Sequence, residues 1–557
     1  MLHQHGARLS PTRRTILQQL SALSALASAP AAFAQHLMQA HDHAAAQSGM
    51  SMPPTAPPAV PMLNAFNLVP FVDEMPLPER IRPISAADPN KLRITMREVH
   101  VKLHRDIPTT RQWSYGETAL APLIDVHAGH PLSIEWVNSL PTHHFLPIDY
   151  SLHGCGRDIP EVRTCVHLHG GKNPSKYDGY PEDWFVPGQS RICNYPLQQE
   201  ATALWYHDHA MGLSRLNTYA GLFGMLLLRD SVEDALNLPS GKYEVPLLLS
   251  DRQLTTDGQL LYPDSGDPDH PWVPEFLGGF ILINGKVRPY FEVEPRLYRF
   301  RLLNAANSRF FALSLTNHMP FHQIGTDQGL LAAPVKMTSL DFAPAERADL
   351  LIDFSSAAGQ QIHLINGAYE ILEFRVAAKA STSQPQPQRA VAHVDSIPAT
   401  LRTIDRIPES SAITTRTITL NEYRDKIGNS MLMLLNRKHW HEPVTETPKL
   451  NTTEIWEFVN LTDDLHPMHL HLVRFQILDR RVFDVFAYQD NQGVRYVGPP
   501  VLPATNELGW KDVVQCPAAM ITRIIVRFEG YPGKYLYHCH ILEHEANDMM
   551  RPFEVIA

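Results

Sequence analysis

The sequence predicts an all-β protein of three β-sandwich or barrel domains. Its length of 557 residues exceeds one ordinary domain and suits three. The 46 prolines outnumber the 29 glycines, which favours short strands and rigid loops over long helices. Segments with period-two alternation, such as 132–137 and 297–303, are typical of strands, and strands at this spacing indicate sandwiches or barrels.

A strand pattern that ends in asparagine occurs three times along the chain, at 133–138, 298–304 and 454–460. Repetition at such long separations indicates duplicated domains rather than a solenoid. A Ser/Gln/Pro-rich stretch at 379–392 is predicted to be a linker, and a second boundary is expected near Arg229. The predicted domains are therefore 66–231, 232–378 and 393–557.

The first 65 residues are predicted to lie outside these domains. Arg13 and Arg14 precede a mildly apolar stretch and a small-x-small cleavage pattern at 32–34, so residues 1–34 are interpreted as a twin-arginine-type signal peptide. Residues 35–65, rich in His, Met and Pro, are expected to form a disordered leader that acts as a tether, and the alternative is that its His and Met side chains bind copper loosely. We therefore expect a soluble protein in the periplasm or outside the cell.

Charge and cysteine content narrow the functional class. A net charge of −10 and a sequence pI near 6.3 argue against a nucleic-acid partner. Five cysteines suit an oxidising compartment without forming a disulfide scaffold. If Cys539 binds a metal, the other four allow three full pairings: Cys155, Cys165, Cys193 and Cys516. Cys155 and Cys165 flank a loop and could form a bridge, and the alternative is that all four are reduced and buried.

The residues 537–544, followed by Met549, carry the pattern of a blue-copper centre. Successive side chains of a strand point to opposite faces, so Cys539 is expected to face one way while His538 and His540 face the other. A thiolate together with His544 and a weak thioether at Met549 suits a trigonal copper site for electron transfer. This strand is therefore predicted to connect an electron entry point to a second metal site.

Seven His-x-His triplets occur among the 29 histidines, where about one or two are expected by chance. Residues i and i+2 of a strand share a face, so each triplet aims two imidazoles at one place. Four triplets have strand-like surroundings, and their eight imidazoles could hold three copper ions: 167–169, 207–209, 469–471 and 538–540. The other three, at 3–5, 41–43 and 439–441, are interpreted as unrelated to the site, and His439 and His441 as structural.

The motifs of the mature chain resemble those of multicopper oxidases, and within them the bacterial spore-coat laccases and bilirubin oxidases. The resemblance implies three cupredoxin-like Greek-key domains and four copper ions. Spore-coat members also tend to carry a disulfide in mid-chain, which is impossible here because no cysteine lies between Cys193 and Cys516. The motifs that carry the resemblance lie at 103–106, 166–171, 204–211, 343–347, 460–471 and 537–544.

The resemblance also implies a role for each candidate ligand. It assigns the type 1 copper to His466, Cys539, His544 and the axial Met549. It assigns the type 2 copper to His167 and His469. The remaining six histidines would hold the type 3 pair: His169, His207, His209, His471, His538 and His540.

The implied reaction is the one-electron oxidation of phenols, aromatic amines or bilirubin-like pigments, coupled to the four-electron reduction of O2 to water. Electrons are expected to enter through an exposed edge of a type 1 ligand imidazole. Asp178 and Glu545 match acidic positions of the resembled laccases and are predicted to supply protons. The competing interpretations are a turn residue for Asp178 and an exposed surface carboxylate for Glu545.

Two other functions are alternatives to a laccase-like oxidase. A metallo-oxidase of Cu(I) or Mn(II) would be favoured by a methionine-rich insert near the type 1 site, but the third domain has only scattered methionines at Met431, Met433 and Met520. A copper-free structural relative is disfavoured by the complete ligand set. The expected partners are O2 and a small reducing substrate, and the expected state is a monomer.

Overall fold

The computed structural model describes residues 60–83, 90–379 and 396–557. The predicted signal peptide, almost all of the leader and the linker residues 380–392 lie outside the described residues. Within them the chain forms six sheets, which pair into three β-sandwiches. The prediction of an all-β protein with three sandwiches is confirmed, whereas the exact domain boundaries stay predictions.

The first sandwich contains nine strands in two sheets, ordered β1-β4-β9-β8-β6 and β3-β2-β5-β7. The strands are β1 Arg80–Ile81, β2 Lys91–Val101, β3 Thr110–Ser114, β4 Leu123–His127, β5 Leu132–Asn138, β6 Val166–His169, β7 Ser190–Tyr195, β8 Thr202–Asp208 and β9 Phe223–Arg229.

The second sandwich has a seven-stranded sheet, β12-β11-β10-β14-β19-β16-β17, and a five-stranded sheet, β13-β21-β20-β15-β18. Its strands are β10 Glu244–Arg252, β11 Phe280–Ile283, β12 Lys286–Val287, β13 Tyr290–Val293, β14 Leu297–Asn304, β15 Phe311–Leu315, β16 Phe321–Thr326, β17 Gly329–Met337, β18 Ser339–Phe342, β19 Arg347–Asp353, β20 Gln361–Asn366 and β21 Tyr369–Val376.

The third sandwich has sheets ordered β23-β22-β24-β28-β26 and β27-β25-β29-β30. Its strands are β22 Ala412–Arg424, β23 Ser430–Leu435, β24 Thr453–Asn460, β25 His466–Leu470, β26 Phe475–Val482, β27 Val513–Cys516, β28 Met520–Arg527, β29 Gly533–Cys539 and β30 Met550–Val555.

Helices are few and short in the described part of the chain. None of them is long and apolar enough to cross a membrane. The four α-helices are α1 Ser214–Ala220, α2 Ser231–Ala235, α3 Val485–Gln489 and α4 Leu542–Ala546. Single 3₁₀ turns lie at Ala65–Asn67, Ser175–Tyr177, Gly241–Tyr243, Glu409–Ser411 and Thr505–Glu507.

The three asparagine-ending strands hold equivalent positions in the three sandwiches. β5, β14 and β24 each pair in parallel with the strand β2, β10 or β22 of the same sheet. Each final asparagine is buried, accepts a backbone N–H from two residues further on and donates its amide to a distant carbonyl. The repeated asparagine therefore ends the strand and ties it to another part of the sandwich.

The hydrophobic core decides where the sandwiches meet. One continuous buried cluster contains residues of both the first and the third sandwich, for example Trp136 and Trp456. The second sandwich packs around a separate cluster that includes Phe300 and Phe374. The first and third sandwiches are thus in direct apolar contact, and the histidine triplets of both face this contact.

Candidate metal centre

The predicted type 1 ligands converge at the end of β29. The Sγ of Cys539 lies 3.5 Å from Nδ1 of His466 and 3.6 Å from Nδ1 of His544, and these two nitrogens are 3.2 Å apart. Met549 is fully buried, and its backbone bonds with Cys539 and His544 hold it beside them. Two imidazole nitrogens and a sulfur gathered at one point form the trigonal donor set of a blue-copper centre.

The surroundings of the Cys539 sulfur favour a bound cation. Burial raises the pKa of the Cys539 thiol well above its usual value, so the thiolate needs a compensating positive charge. The backbone N–H of Ile541 lies 3.4 Å from the sulfur and donates to it. A copper ion held at this point would supply the missing charge.

Strand register carries the connection from this centre to the second site. In the pairing of β25 with β29, Met468 lies opposite Cys539 and His469 lies opposite His538. Cys539 therefore faces His466 and His544, while the adjacent His538 faces the other way, as the alternation predicted. His540 follows directly after the strand and donates its backbone N–H to Pro467.

The other eight histidines come together between the first and third sandwiches. His167 lies opposite His207 in the pairing of β6 with β8. Two groups of three can each hold one ion, because their donor atoms lie within 4.8 Å of one another. We name them the first triad, His169, His207 and His540, and the second triad, His209, His471 and His538.

The second triad has the tighter geometry of the two. The Nε2 atom of His538 lies 3.4 Å from that of His209 and 3.2 Å from that of His471. In the first triad, His207 points its Nδ1 at the carbonyl of Asp208, which leaves its Nε2 for an ion. Each triad takes histidines from both sandwiches, so neither is complete within one domain.

His167 and His469 form the predicted type 2 pair, and both are oriented by backbone carbonyls. The Nδ1 of His167 donates to the carbonyl of Asp178, and that of His469 donates to the carbonyl of Asp512 over 2.8 Å. Their Nε2 atoms are buried without a hydrogen-bond partner. Buried, unpartnered imidazole nitrogens that converge are what a metal ion would satisfy.

The protonation state also suits copper. Burial lowers the pKa of His207 to about 3 and that of His538 to about 4. Burial and, second, the neighbouring imidazoles lower the pKa of the other six well below the usual value: His167, His169, His209, His469, His471 and His540. All eight imidazoles are thus neutral at physiological pH, the form that binds a metal.

The two predicted proton donors are both buried beside the triads. Asp178 accepts a hydrogen bond from Nδ1 of His471 over 2.8 Å. Glu545 places its Oε2 3.4 Å from Nδ1 of His538, and its Oε1 accepts from Ser214 Oγ over 2.5 Å. The competing interpretation of Glu545 as an exposed carboxylate is wrong, because packing of α1 on α4 covers it.

Burial acts on the charge of both carboxyl groups. It raises the pKa of Asp178 well above the usual value and that of Glu545 to about 8. Glu545 therefore carries a proton near neutral pH, and burial shifts the pKa of Asp178 in the same direction. Carboxylic acids beside a site that consumes protons are suited to general-acid work, although their catalytic role stays a prediction.

Sequence reasoning missed Asp512 as a residue of the site. Its Oδ1 lies 3.2 Å from Nε2 of His169, and Arg347 of the second sandwich binds both carboxylate oxygens. Gln328 donates to the same carboxylate over 2.6 Å, and a Cβ at Gly170 would lie 2.6 Å from it. The second sandwich thus reaches the metal centre through the buried ion pair between Arg347 and Asp512. The sequence features that point to this contact are the motifs at 169–171 and 343–347.

The prediction that a type 1 ligand imidazole exposes an edge to solvent is wrong. His466 and His544 are both 0% exposed. The Nε2 of His466 is hydrogen-bonded to Thr462 Oγ1 over 2.7 Å, and His544 lies on α4 in the packed interior. An electron donor therefore meets the atoms that cover these imidazoles rather than the imidazoles themselves.

All five cysteines are buried and none is joined to another. The structure thus agrees with the alternative in which the four cysteines other than Cys539 are reduced and buried. His439 and His441 lie on the loop after β23, outside both triads.

Comparison with known proteins supports a copper enzyme. Family models described as multicopper oxidase match residues 159–233 and 408–557. A laccase from Bacillus subtilis (strain 168) is 44% identical over 513 residues, which cover 87% of this chain and 98% of that protein. A laccase from Bacillus stratosphericus is 43% identical over 520 residues, covering 88% and 100%. A solved laccase from Pediococcus acidilactici has a TM-score of 0.72 at 26% identity, covering 89% and 96%.

Fold and site together define a copper-dependent oxidoreductase with three cupredoxin-like domains. It takes one type 1, one type 2 and two type 3 copper ions. The chain belongs to the multicopper oxidase family, and it is a laccase-like member of that family. The assignment of each side chain to a particular copper ion stays a prediction.

Proposed function

We propose that this enzyme oxidises phenols, aromatic amines or bilirubin-like pigments one electron at a time and reduces O2 to water. His466, Cys539, His544 and Met549 would hold the type 1 copper. His167 and His469 would hold the type 2 copper, and the first and second triads would hold the type 3 pair. The bound copper ions supply the redox chemistry: four electrons and four protons convert O2 to two water molecules.

One observation carries this proposal. Cys539 lies within 3.6 Å of two type 1 imidazole nitrogens, and its two neighbours belong to different triads, His538 to the second and His540 to the first. A single short segment therefore joins three metal positions. Such a connection suits an enzyme that accepts electrons at one metal site and transfers them to a second site where O2 is reduced.

The chain's own residues would manage the protons of the reaction. Glu545 and Asp178 each lie within 3.4 Å of an imidazole of the second triad, and burial raises the pKa of both, that of Glu545 to about 8. Ser214 holds the Glu545 carboxyl in place, and the Asp178 carbonyl orients His167. These two acids would deliver protons to reduced oxygen.

Location and assembly are further parts of the proposal. The paired arginines and the cleavage pattern in the first 34 residues support export by the twin-arginine route to the periplasm or the medium. We expect the enzyme to act as a monomer, since every candidate copper ligand is supplied by one chain.

The alternative of a metallo-oxidase for Cu(I) or Mn(II) is not favoured. Met433 and Met520 are buried in the third sandwich, so neither can take up an incoming ion. The similarity to laccases from two Bacillus species also supports organic donors for this chain.

Parallel oxygen-uptake assays of the copper-loaded enzyme would test this function. A phenolic dye, bilirubin, Cu(I) and Mn(II) should be compared, with Cys539→Ser as the control that lacks the electron entry site. We expect uptake with an organic donor and none in the variant. An enzyme without an intense blue absorption band that consumes no oxygen with any donor would contradict the proposal.

A further inference from the structure

A second group of imidazoles lies on the surface, and none of them belongs to the ligand sets of the four predicted copper positions. His439 and His441 flank Trp440 on the loop after β23 of the third sandwich. His153 comes from the loop between β5 and β6 of the first sandwich. Their rings form a row: the centroids of His153 and His441 are 5.9 Å apart, and those of His441 and His439 are 5.8 Å apart.

A carboxylate completes this group. Asp548 places its Oδ2 2.7 Å from Nδ1 of His439 and its Oδ1 3.7 Å from Nδ1 of His153. Its side chain is 8% exposed, whereas those of His439 and His153 are 45% and 29% exposed. A nearly buried negative charge thus lies beneath imidazoles that solvent reaches, which favours a cation above it.

The ring spacing compares well with that of the predicted copper sites. Within the second triad the ring centroids lie 5.0–5.3 Å apart, and within the first triad 5.0–5.8 Å. The surface pairs, at 5.8 and 5.9 Å, lie at and just above the largest spacing within the first triad. These rings are stacked at interplanar angles of 27° and 17°, so the exposed imidazoles must turn before their nitrogens meet at an ion.

The third-sandwich loop that carries His439 and His441 is held rigidly. The fully buried Arg551 donates to the carbonyls of His439, Trp440, Glu442 and Pro443. Such a fixed loop loses little conformational entropy when its side chains bind an ion.

The first-sandwich side of the group is fixed in the same way. Buried Arg163 donates to the carbonyls of Gly154, next to His153, and of Met211. Met211 and Trp440 share one hydrophobic cluster, and the Trp440 Nε1–H donates to Glu182 of the first sandwich over 3.0 Å. The two loops therefore keep a constant relative position.

We infer that His153, His439, His441 and Asp548 form a further binding site for a divalent transition-metal ion. Imidazoles with one carboxylate are donors that Zn(II) and Cu(II) accept. This site shares no ligand with the proposed copper positions, although Asp548 directly precedes Met549 in the chain, and it goes beyond the proposed oxidase function. A metal bound there joins the first and third sandwiches, whose contact also holds both triads, and so stabilises the active fold.

Zinc titration of the copper-loaded enzyme tests the inference, because Zn(II) is redox-inert and does not change the copper oxidation state. Calorimetry and metal analysis should compare the wild type with the double variant His439→Ala/His441→Ala. His143→Ala is the matched control, because that exposed histidine pairs with Glu161 elsewhere on the first sandwich. The histidines of the predicted leader are the same in the wild type and in all variants, so any Zn(II) that they bind cancels in the comparison.

We expect the wild type and His143→Ala to bind one more Zn(II) per chain than the double variant, and to gain more thermal stability from zinc. Asp548→Asn, which keeps the shape of the side chain, should bind Zn(II) at least tenfold more weakly. Equal zinc counts in the wild type and the double variant would overturn the inference. Oxygen uptake is measured separately, so failure of the oxidase proposal remains distinguishable.

Discussion

Replacing Glu545 by Gln should slow the oxygen-consuming half of the reaction. The carboxyl is buried, its Oε1 accepts from Ser214, and its Oε2 has no hydrogen-bond partner and lies 3.4 Å from Nδ1 of His538. Gln keeps the volume and can still accept from Ser214, but it cannot release a proton. A positioned general acid contributes about 10²–10⁴-fold, so the variant should lose about 10²-fold or more, or ~3 kcal/mol of barrier lowering.

The pH dependence gives this prediction a second signature. Burial raises the pKa of Glu545 to about 8, so the folded enzyme keeps this proton up to about that pH. The rate at which fully reduced wild-type enzyme is reoxidised by O2 should therefore fall as the pH rises through about 8. The reoxidation rate of Glu545→Gln should be low at every pH and should not fall further as the pH rises through about 8.

Stopped-flow reoxidation and anaerobic reduction measure the two halves separately. Reduction of the type 1 centre by substrate should be unchanged in Glu545→Gln, since Glu545 lies on the side of the triads. Glu543→Gln is the matched control, because this buried carboxylate of the same helix contacts Arg215, Tyr262 and Asn307 instead. Reoxidation of Glu545→Gln at the wild-type rate across the pH range would refute a proton-supply role.

Three further predictions follow from the same structure. Cys539→Ser should lose the blue absorption band and oxygen uptake, since no thiolate remains for the type 1 copper. Visible spectroscopy measures the band and an oxygen electrode measures the uptake. A blue, active variant would contradict the ligand assignment. Arg347→Leu leaves the Asp512 carboxylate buried without its cationic partner. The free energy of unfolding in denaturant should therefore fall by about 3–5 kcal/mol. A decrease below about 1 kcal/mol would show that the ion pair contributes little to stability. Met549→Leu should keep the type 1 copper but raise its reduction potential in a redox titration, and an unchanged potential would argue against an axial thioether.

Much of the candidate site could be predicted from the sequence because its ligands repeat at strand periodicity. His167 and His169, or His538 and His540, share a face whatever lies around them, and Cys539 between them must face away. The three strands ending in Asn138, Asn304 and Asn460 repeat for a similarly local reason, since each asparagine caps its own strand end. Such short-range features are visible in the chain before it folds.

The partners of these residues could not be predicted in the same way. Arg347 and Asp512 are 165 residues apart in sequence, and no periodicity links them. The exposed imidazole edge was predicted wrongly for the same reason, because the cover over His544 comes from packing of distant segments. His439 and His441 were interpreted as structural because His153 and Asp548, which give them a candidate function, lie far away along the chain.

Strand alternation and donor chemistry act over a few residues, so the class of fold, the metal and the ligand types could be predicted from the chain alone. Packing sets which imidazoles share an ion, which carboxyl groups have a raised pKa and how a donor is kept from the type 1 ligands. These properties depend on burial and on contacts between sandwiches, and both arise only when distant parts of the chain pack together.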